Sequence, residues 1–190
     1  MSTAGWASED KKRSYYDFIF DESERLSRLI ANVLQLARME RSDFRLDLKP
    51  LKASELIDLL RAKVHSQIER AGFAVEYRTD PGCAALTVAI DTDACSQILI
   101  NLVDNAIAAC TASGRVSVCA QIVEPRVFEL VVEDNGRGMT SEVRRRCTEL
   151  FFSTKPRGSG IGLTLCEQTV KAAGGTFSIE SEEHRGTRVT

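Results

Sequence analysis

The sequence predicts an α+β two-layer sandwich preceded by a long N-terminal helix. Three observations predict it. Residues 14–40 carry apolar side chains that step alternately by three and four. Two strong strand signals, "RVSVCAQIV" and "RVFELVVED", follow one another across a short turn. The helical stretches are separated from such paired strands, so the order of elements is mixed and does not alternate regularly.

Each element can be justified in turn. Residues 1–13 are small and polar without periodicity, and read as a flexible segment. From Ser14 to Glu40, the residues Tyr16, Ile19, Ser23, Leu26, Ile30, Val33 and Ala37 form a heptad seam, widened by Leu29, Leu34 and Leu36. Such a helix reaches about 40 Å at the usual rise per residue. It cannot bury its own seam, so it needs a partner helix or a second copy of the chain. "FRLDLKPL" alternates Phe44, Leu46 and Leu48 against Arg45, Asp47 and Lys49, a short strand ended near Pro50. Residues 54–70 are helical, with Leu56, Leu59, Leu60, Val64 and Ile68 on one side. "FAVEYR" and "ALTVAI" are strands separated by the turn "DPG". Asp91 or Thr92 caps a helix that runs to about Cys110. The two strong strands meet at a Glu124-Pro125 turn. Residues 135–160 are loop-like, with Gly136, Gly138, Pro156, Gly158 and Gly160. A helix from Ile161 to Ala173 stops at Gly174-Gly175, and "TFSIES" and "TRVT" close the chain as strands.

Composition excludes several functions. With 190 residues the chain is long enough for one large domain or for one domain plus a helical appendage. A net charge of -2 removes the electrostatic case for nucleic acid. Cys83, Cys95, Cys110, Cys119, Cys147 and Cys166 form no Cys-x-x-Cys pair, and only two histidines accompany them. That argues against zinc and for a reducing compartment. No apolar run is long enough to span a membrane, and the N-terminus lacks a secretory pattern, so a cytoplasmic location is expected.

Three segments carry the chemistry. In "ILINLVDNAIAAC", Cys95, Ile98, Leu99, Leu102 and Ala106 make an apolar face, while Asn101 and Asn105 stack four apart on an adjacent stripe. Asparagine is a poor helix-interior residue, so the pair needs a reason. Taken alone, two surface asparagines on a half-buried helix explain it equally well. In "EDNGRGM", a buried aspartate at a strand end is an acceptor for an exocyclic amine, and the glycines allow close backbone approach to a flat ring. Alone, a turn after an edge strand is the simpler reading. In "FFSTKPRGSGIGLTL", Gly158, Gly160 and Gly162 lead into a helix whose free N–H groups form an anion site. Lys155 and Arg157 supply positive charge there, and Ser153, Thr154 and Ser159 supply hydroxyls. The G-x-x-x-x-G-K-[ST] loop does not fit, because the lysine precedes the glycines.

In order and spacing, these segments resemble the ATP-binding region of sensor histidine kinases, within the gyrase, heat-shock chaperone, histidine kinase and mismatch-repair ATPase superfamily. They are similar to that family's N box (Asn101–Ala109), first glycine box (Asp134–Gly138), F box (Phe151, Phe152) and second glycine box (Gly158–Gly162). "GGTFSIES" and "GTRV" resemble its closing strands. Residues 14–41 resemble the second helix of its dimerisation and phosphoacceptor hairpin, which leaves 44–190 as the catalytic ATP-binding domain. The resemblance implies a Bergerat-type ATP fold, a mixed sheet covered on one face by helices.

The resemblance also implies roles. Asp134 accepts the adenine amino group with the help of a water, and Gly136 and Gly138 pass beside the base. Asn105 binds Mg²⁺ through its amide oxygen. Asn101 lies near the attacked γ-phosphoryl group, and with Lys155 it is a catalytic candidate. Residues 139–159 form a lid from which Lys155 and Arg157 reach phosphate. Phe152, Thr154, Gly158 and Ser159 belong to the nucleotide site. The backbone of Gly160, Ile161, Gly162 and Leu163 holds phosphate oxygens. The implied partners are ATP or ADP, a histidine-bearing helix of the same or a partner chain, the receiver domain of a response regulator, and a second copy in a homodimer.

Relatives that hydrolyse ATP carry a glutamate base where this chain has Asn101. An amide cannot serve as that base, so transfer to a side chain is favoured. Many family members carry a lysine where this chain has Ala108, a loss that Lys155 compensates. The phosphoacceptor histidine is missing too: His65 and His184 are the only histidines, and neither has the acceptor's sequence context. The chain therefore reads as a fragment unable to phosphorylate itself. The alternatives are an ATP hydrolase or protein-serine kinase of the same superfamily, or a nucleotide-free dimerisation module.

Overall fold

The computed structural model describes residues 9–39, 41, 44–71, 73–111, 114–124, 127–156 and 158–190. It divides into two units, Met1–Phe44 and Arg45–Thr190. In the first unit, helix α1 spans Glu9–Met39. It begins ahead of Ser14 because Glu9–Arg13, though without apolar periodicity, is rich in good helix formers with acidic residues leading. Along it, Tyr16, Ile19, Leu26, Ile30 and Val33 are exposed, so most of the heptad seam faces water.

The second unit runs β1 (Lys49–Lys52), α2 (Ala53–Ala71), β2 (Val75–Thr79), β3 (Thr87–Ile90), α3 (Thr92–Ala109), β4 (Val116–Glu124), β5 (Val127–Asp134), α4 (Ser141–Arg146), α5 (Gly162–Ala172), β6 (Ile179–Glu182) and β7 (Gly186–Val189). A five-stranded sheet has the order β2-β4-β5-β7-β6, and β1 and β3 form a separate antiparallel pair. Strand β2 is parallel to β4 and every other pairing is antiparallel, so the sheet is mixed. Val118 lies opposite Val132, and Val132 opposite Val189. That apolar row, with Val116, packs under Leu56, Leu60 and Val64 of α2, Leu99, Leu102, Val103 and Ala106 of α3, and Cys166 of α5. Helices thus cover one face, as the α+β sandwich requires. The other face carries polar pairs such as Gln121–Glu129 and Arg188–Glu133, the alternation expected of a sheet with one solvated side.

Several expectations need correction. Phe44–Leu48 forms no strand; the strand is Lys49–Lys52 and includes Pro50. Proline is tolerated there because β1 has a neighbour on one side only. The strand expected over "ALTVAI" shortens to Thr87–Ile90, because Pro81–Ala85 forms a 3-10 turn capped by Asp80, which accepts from Gly82 N at 2.9 Å. "TFSIES" shortens to Ile179–Glu182. The segment read as a loop contains α4, started by Thr140, whose Oγ1 accepts from Val143 N at 3.2 Å. Six residues are too few to show an apolar period. The Glu124-Pro125 turn falls at Pro125, and residues 1–8 fall in the flexible segment; both lie outside the described residues. All six cysteines are free. Burial pushes the Cys95 and Cys166 thiols up to about 12, which makes them packing groups. No helix among the described residues is long and apolar enough to cross a membrane.

Asp91 is the residue that starts α3. Its Oδ1 accepts from Asp93 N and Ala94 N at 3.1 and 3.0 Å, and its Oδ2 accepts from Asp47 N at 3.0 Å. One side chain therefore caps the helix and ties down the chain leading into β1. Asp91→Ala is expected to lower unfolding stability by about 1–2 kcal/mol, read as a shifted midpoint in urea with an unchanged slope.

Candidate nucleotide site

The site is built on α3. Its apolar face seats the helix on the sheet, which leaves Asn101 and Asn105, one turn apart, half-buried at the edge of that contact. Asn101 Nδ2 is buried and meets no oxygen acceptor, with only the Cys166 thiol, a weak acceptor, beside it. Its carboxamide faces Gly162, where an added Cβ would stand 3.6 Å from both Cγ and Oδ1. The start of α5 therefore lies directly beside Asn101. The residue preceding α5 is Ile161, which gives the helix no side-chain cap. Its first N–H groups are the orphan donors that favour an anion.

Asp134 ends β5 and is 8% exposed. Its Oδ1 accepts from Gly136 N at 2.8 Å. Burial raises its pKa above the ordinary 3.8, while the backbone N–H groups of Gly136 and Thr187 pull it back down. The following loop is held by its own backbone. Arg137 N donates to Ala109 O at 3.0 Å, and His184 N donates to Arg137 O at 2.7 Å. At Gly136 a Cβ would strike the Ala109 carbonyl, and at Gly138, with φ of 62°, it would collide with the Glu182 carbonyl. Both glycines thus answer to the protein's own backbone. His184, in the β6–β7 turn, and His65, on α2, are exposed.

The lid reaches back across the site. Lys155 Nζ donates to Asn105 Oδ1 at 2.7 Å, joining residues fifty apart. Burial lowers the Lys155 pKa; Asp104 and Asp134 act the other way, and Arg137 adds to the lowering. The Ser153 hydroxyl fixes the turn that carries it, accepting from Lys155 N at 3.1 Å. Phe152 lies under the Arg146 guanidinium, 4.3 Å from the ring centroid. Thr154 and Gly158 are exposed, and Ser159 Oγ accepts from Ile161 N at 3.4 Å. Arg157 lies outside the described residues. The fold thus brings Asn101, Asn105, Lys155 and the start of α5 together, with Asp134 within range of the lysine's charge.

Residues 90–190 match the family described as histidine kinase-, DNA gyrase B-, and HSP90-like ATPase. This chain belongs to that family. Sporulation kinase C of Bacillus subtilis is 26% identical over 178 residues, which cover 93% of this chain and 40% of that relative. The catalytic domain of histidine kinase ThkA, in a nucleotide-free form, matches with a TM-score of 0.65 at 26% identity, covering 76% of this chain and 93% of that domain. Full-length ShkA in complex with AMPPNP matches with a TM-score of 0.77 at 25% identity, covering 98% of this chain and 39% of that protein. The chain is the ATP-binding catalytic part of a sensor histidine kinase, and it spans 31% to 40% of the length of the first such relatives.

Within this histidine kinase domain, sequence reading missed two contributors. Thr187 gives its N–H to Asp134 from β7, a contact that exists only once the sheet is assembled. Asp104 exerts its charge on Lys155. Its position next to Asn105 was the available signal.

Gly160 shapes the lid at φ of 67°, and its carbonyl accepts from Phe151 N at 2.9 Å. A Cβ there would collide with the Phe151–Phe152 peptide. Gly160→Ala is expected to cost more locally than the ~1–2 kcal/mol of a left-handed alanine, because the clash with backbone adds to it. Amide exchange at Phe151 should quicken while that of the β4–β5 core stays unchanged.

Proposed function

We propose that this chain binds ATP with Mg²⁺ and presents the γ-phosphoryl group to a histidine outside the chain. The observation that carries the reading is the convergence of Asn101, Asn105 and Lys155 beside the uncapped start of α5. Asp134, a carboxylate held at a strand end, is the acceptor for the adenine amino group. Gly136, Gly138, Phe152, Thr154, Gly158 and Ser159 complete the nucleotide site, and Arg157 belongs with Lys155 as a phosphate contact. The backbone of Gly160, Ile161, Gly162 and Leu163 faces phosphate oxygens.

The residues fit a hard divalent cation. Asn105 Oδ1 is a neutral oxygen that already accepts from a cation, and one protein ligand is enough where phosphates and water fill the other positions of Mg²⁺. Held on Asn105 Oδ1, such an ion would supply charge neutralisation to the phosphates. The chain's own part is positioning and charge stabilisation. An imidazole nitrogen bonds to the γ-phosphorus, the bond between that phosphorus and the β–γ bridging oxygen breaks, and ADP leaves. Asn101 supplies no base to activate water, which supports transfer over hydrolysis. His65 and His184 are not the acceptor in this reading, so the chain alone does not label itself. Most of the α1 seam is exposed, which supports a hairpin partner helix and pairing with a second copy. A receiver domain takes the phosphoryl group onward, and ATP supply places the domain in the cytoplasm.

Calorimetry tests the adenine contact. Asp134→Ala is expected to weaken Mg-ADP binding about tenfold to a hundredfold, the range of one lost hydrogen bond to a charged group. The carboxyl's folded pKa is raised, so the ionised acceptor is lost as pH falls through that raised value. Affinity should therefore decline at a higher pH than ordinary carboxylates titrate. No ADP binding at all by the wild-type chain would sink the reading in favour of a nucleotide-free dimerisation module.

Labelled ATP tests the acceptor. The chain alone should remain unlabelled, and a histidine-bearing helix of a relative supplied in trans should gain acid-labile label. Stable label on the isolated chain would show that the acceptor lies within it. Rapid phosphate release would instead identify a hydrolase.

A further inference from the structure

We propose that Lys155 is a surrogate cation: it occupies the metal's position on Asn105 and sets how strongly nucleotide binding depends on Mg²⁺. This rests on the reading of Asn105 as the metal ligand, and goes beyond it.

The contact is placed by more than one constraint. Lys155 Nζ donates to Asn105 Oδ1 at 2.7 Å. Its main chain is pinned by Ser153 Oγ at its N–H, and its carbonyl accepts from Gly158 N at 3.0 Å. The carboxylates of Asp104 and Asp134 both favour an ammonium at this position. A cation is therefore already held at the oxygen assigned to the metal.

Both cations cannot share that oxygen. A Mg–O bond of about 2.1 Å and the 2.7 Å hydrogen bond leave the two charges at most about 4.8 Å apart. A divalent and a monovalent cation at that separation repel, so metal entry expels the ammonium from Asn105. The ammonium is not idle before that. It has three N–H donors and spends one on Asn105, which leaves two for phosphate oxygens. Without metal, Lys155 bridges Asn105 to the phosphates. With metal, it keeps only its phosphate contacts. The lysine therefore supports metal-free binding and competes with the metal, two effects that both shrink the coupling between Mg²⁺ and nucleotide.

The test measures ADP affinity by calorimetry with saturating Mg²⁺ and with EDTA, for the wild type, Lys155→Met and Lys155→Gln. Thermal melts confirm that each variant folds. The ratio of the metal-free Kd to the Mg²⁺ Kd should rise about tenfold in Lys155→Met, the scale of one charge-assisted hydrogen bond. The Mg²⁺ concentration that half-saturates the ADP complex should fall. Lys155→Gln, which keeps a neutral donor, should lie between. An equal weakening of both affinities, with the ratio unchanged, would make Lys155 a plain phosphate contact and overturn the proposal while leaving ATP binding intact. A wild-type chain that binds ADP in neither condition would overturn the ATP reading and this inference together.

Discussion

Helix α3 must bury one face completely and leave two carboxamides at the rim of that burial. Leu99 and Val103 are fully buried against the sheet, and this fixes the rotation of the helix about its axis. With that rotation set, Asn101 and Asn105 have no freedom to face elsewhere. The C-terminal end of the same helix then shapes the loop from Asp134 to Gly138, because the Ala109 carbonyl accepts from Arg137 N and abuts Gly136. The phosphate end is tied to it as well, through Gly162 beside Asn101 and Lys155 on Asn105. One packing decision in the core therefore places both ends of the site.

The two ends are built differently. The Asp134 end is a backbone construction: a strand terminus, a carboxylate bonded to Gly136 N, and a loop held between the Ala109 carbonyl and the β6–β7 turn. Gly186, at φ of 100°, closes that turn against the Asp134 carbonyl. Such a site has little to rearrange when a flat base arrives. At the phosphate end the lid is held to α3 by a side-chain hydrogen bond from one lysine. Long flexible side chains exchange partners at little cost in backbone energy. On the proposed reading the end that meets the base is thus preformed and the end that meets the phosphates is adjustable, a division that would suit holding ATP and then releasing its γ-phosphoryl group.

Much of this was legible in the sequence. The four-residue spacing of Asn101 and Asn105 on an apolar helix, and the alternating Gly158, Gly160 and Gly162 before α5, singled out segments that the fold does bring side by side. What was not legible has physical causes. The strand near Pro50 was misplaced because alternation in Phe44–Leu48 marks a half-buried surface, while a ladder needs a partner, and β3 lies opposite Lys49–Lys52. Helix α4 is too short to have a period, and its cap at Thr140 was its only local mark. The work of Gly136 and Gly138 was read as approach to a ligand, yet each is required first by contact with carbonyls from distant segments. The Lys155–Asn105 bond joins positions fifty apart, and no local pattern encodes it.

Asn101 gives the clearest argument about chemistry. Its Nδ2 is a buried donor with no oxygen acceptor and only the weakly accepting Cys166 thiol beside it, a condition that costs up to about 1–3 kcal/mol in a folded protein. Selection for stability alone would replace it with leucine on a helix already rich in apolar residues. On the proposed reading, replacement by glutamate would supply a general base beside the phosphates but would set a negative charge against them. An amide avoids both outcomes: it adds no charge, cannot take a proton from water, and keeps a donor beside the uncapped start of α5. The polarity of that position therefore suits the proposed role, in which a phosphoryl group is held against hydrolysis until its acceptor arrives.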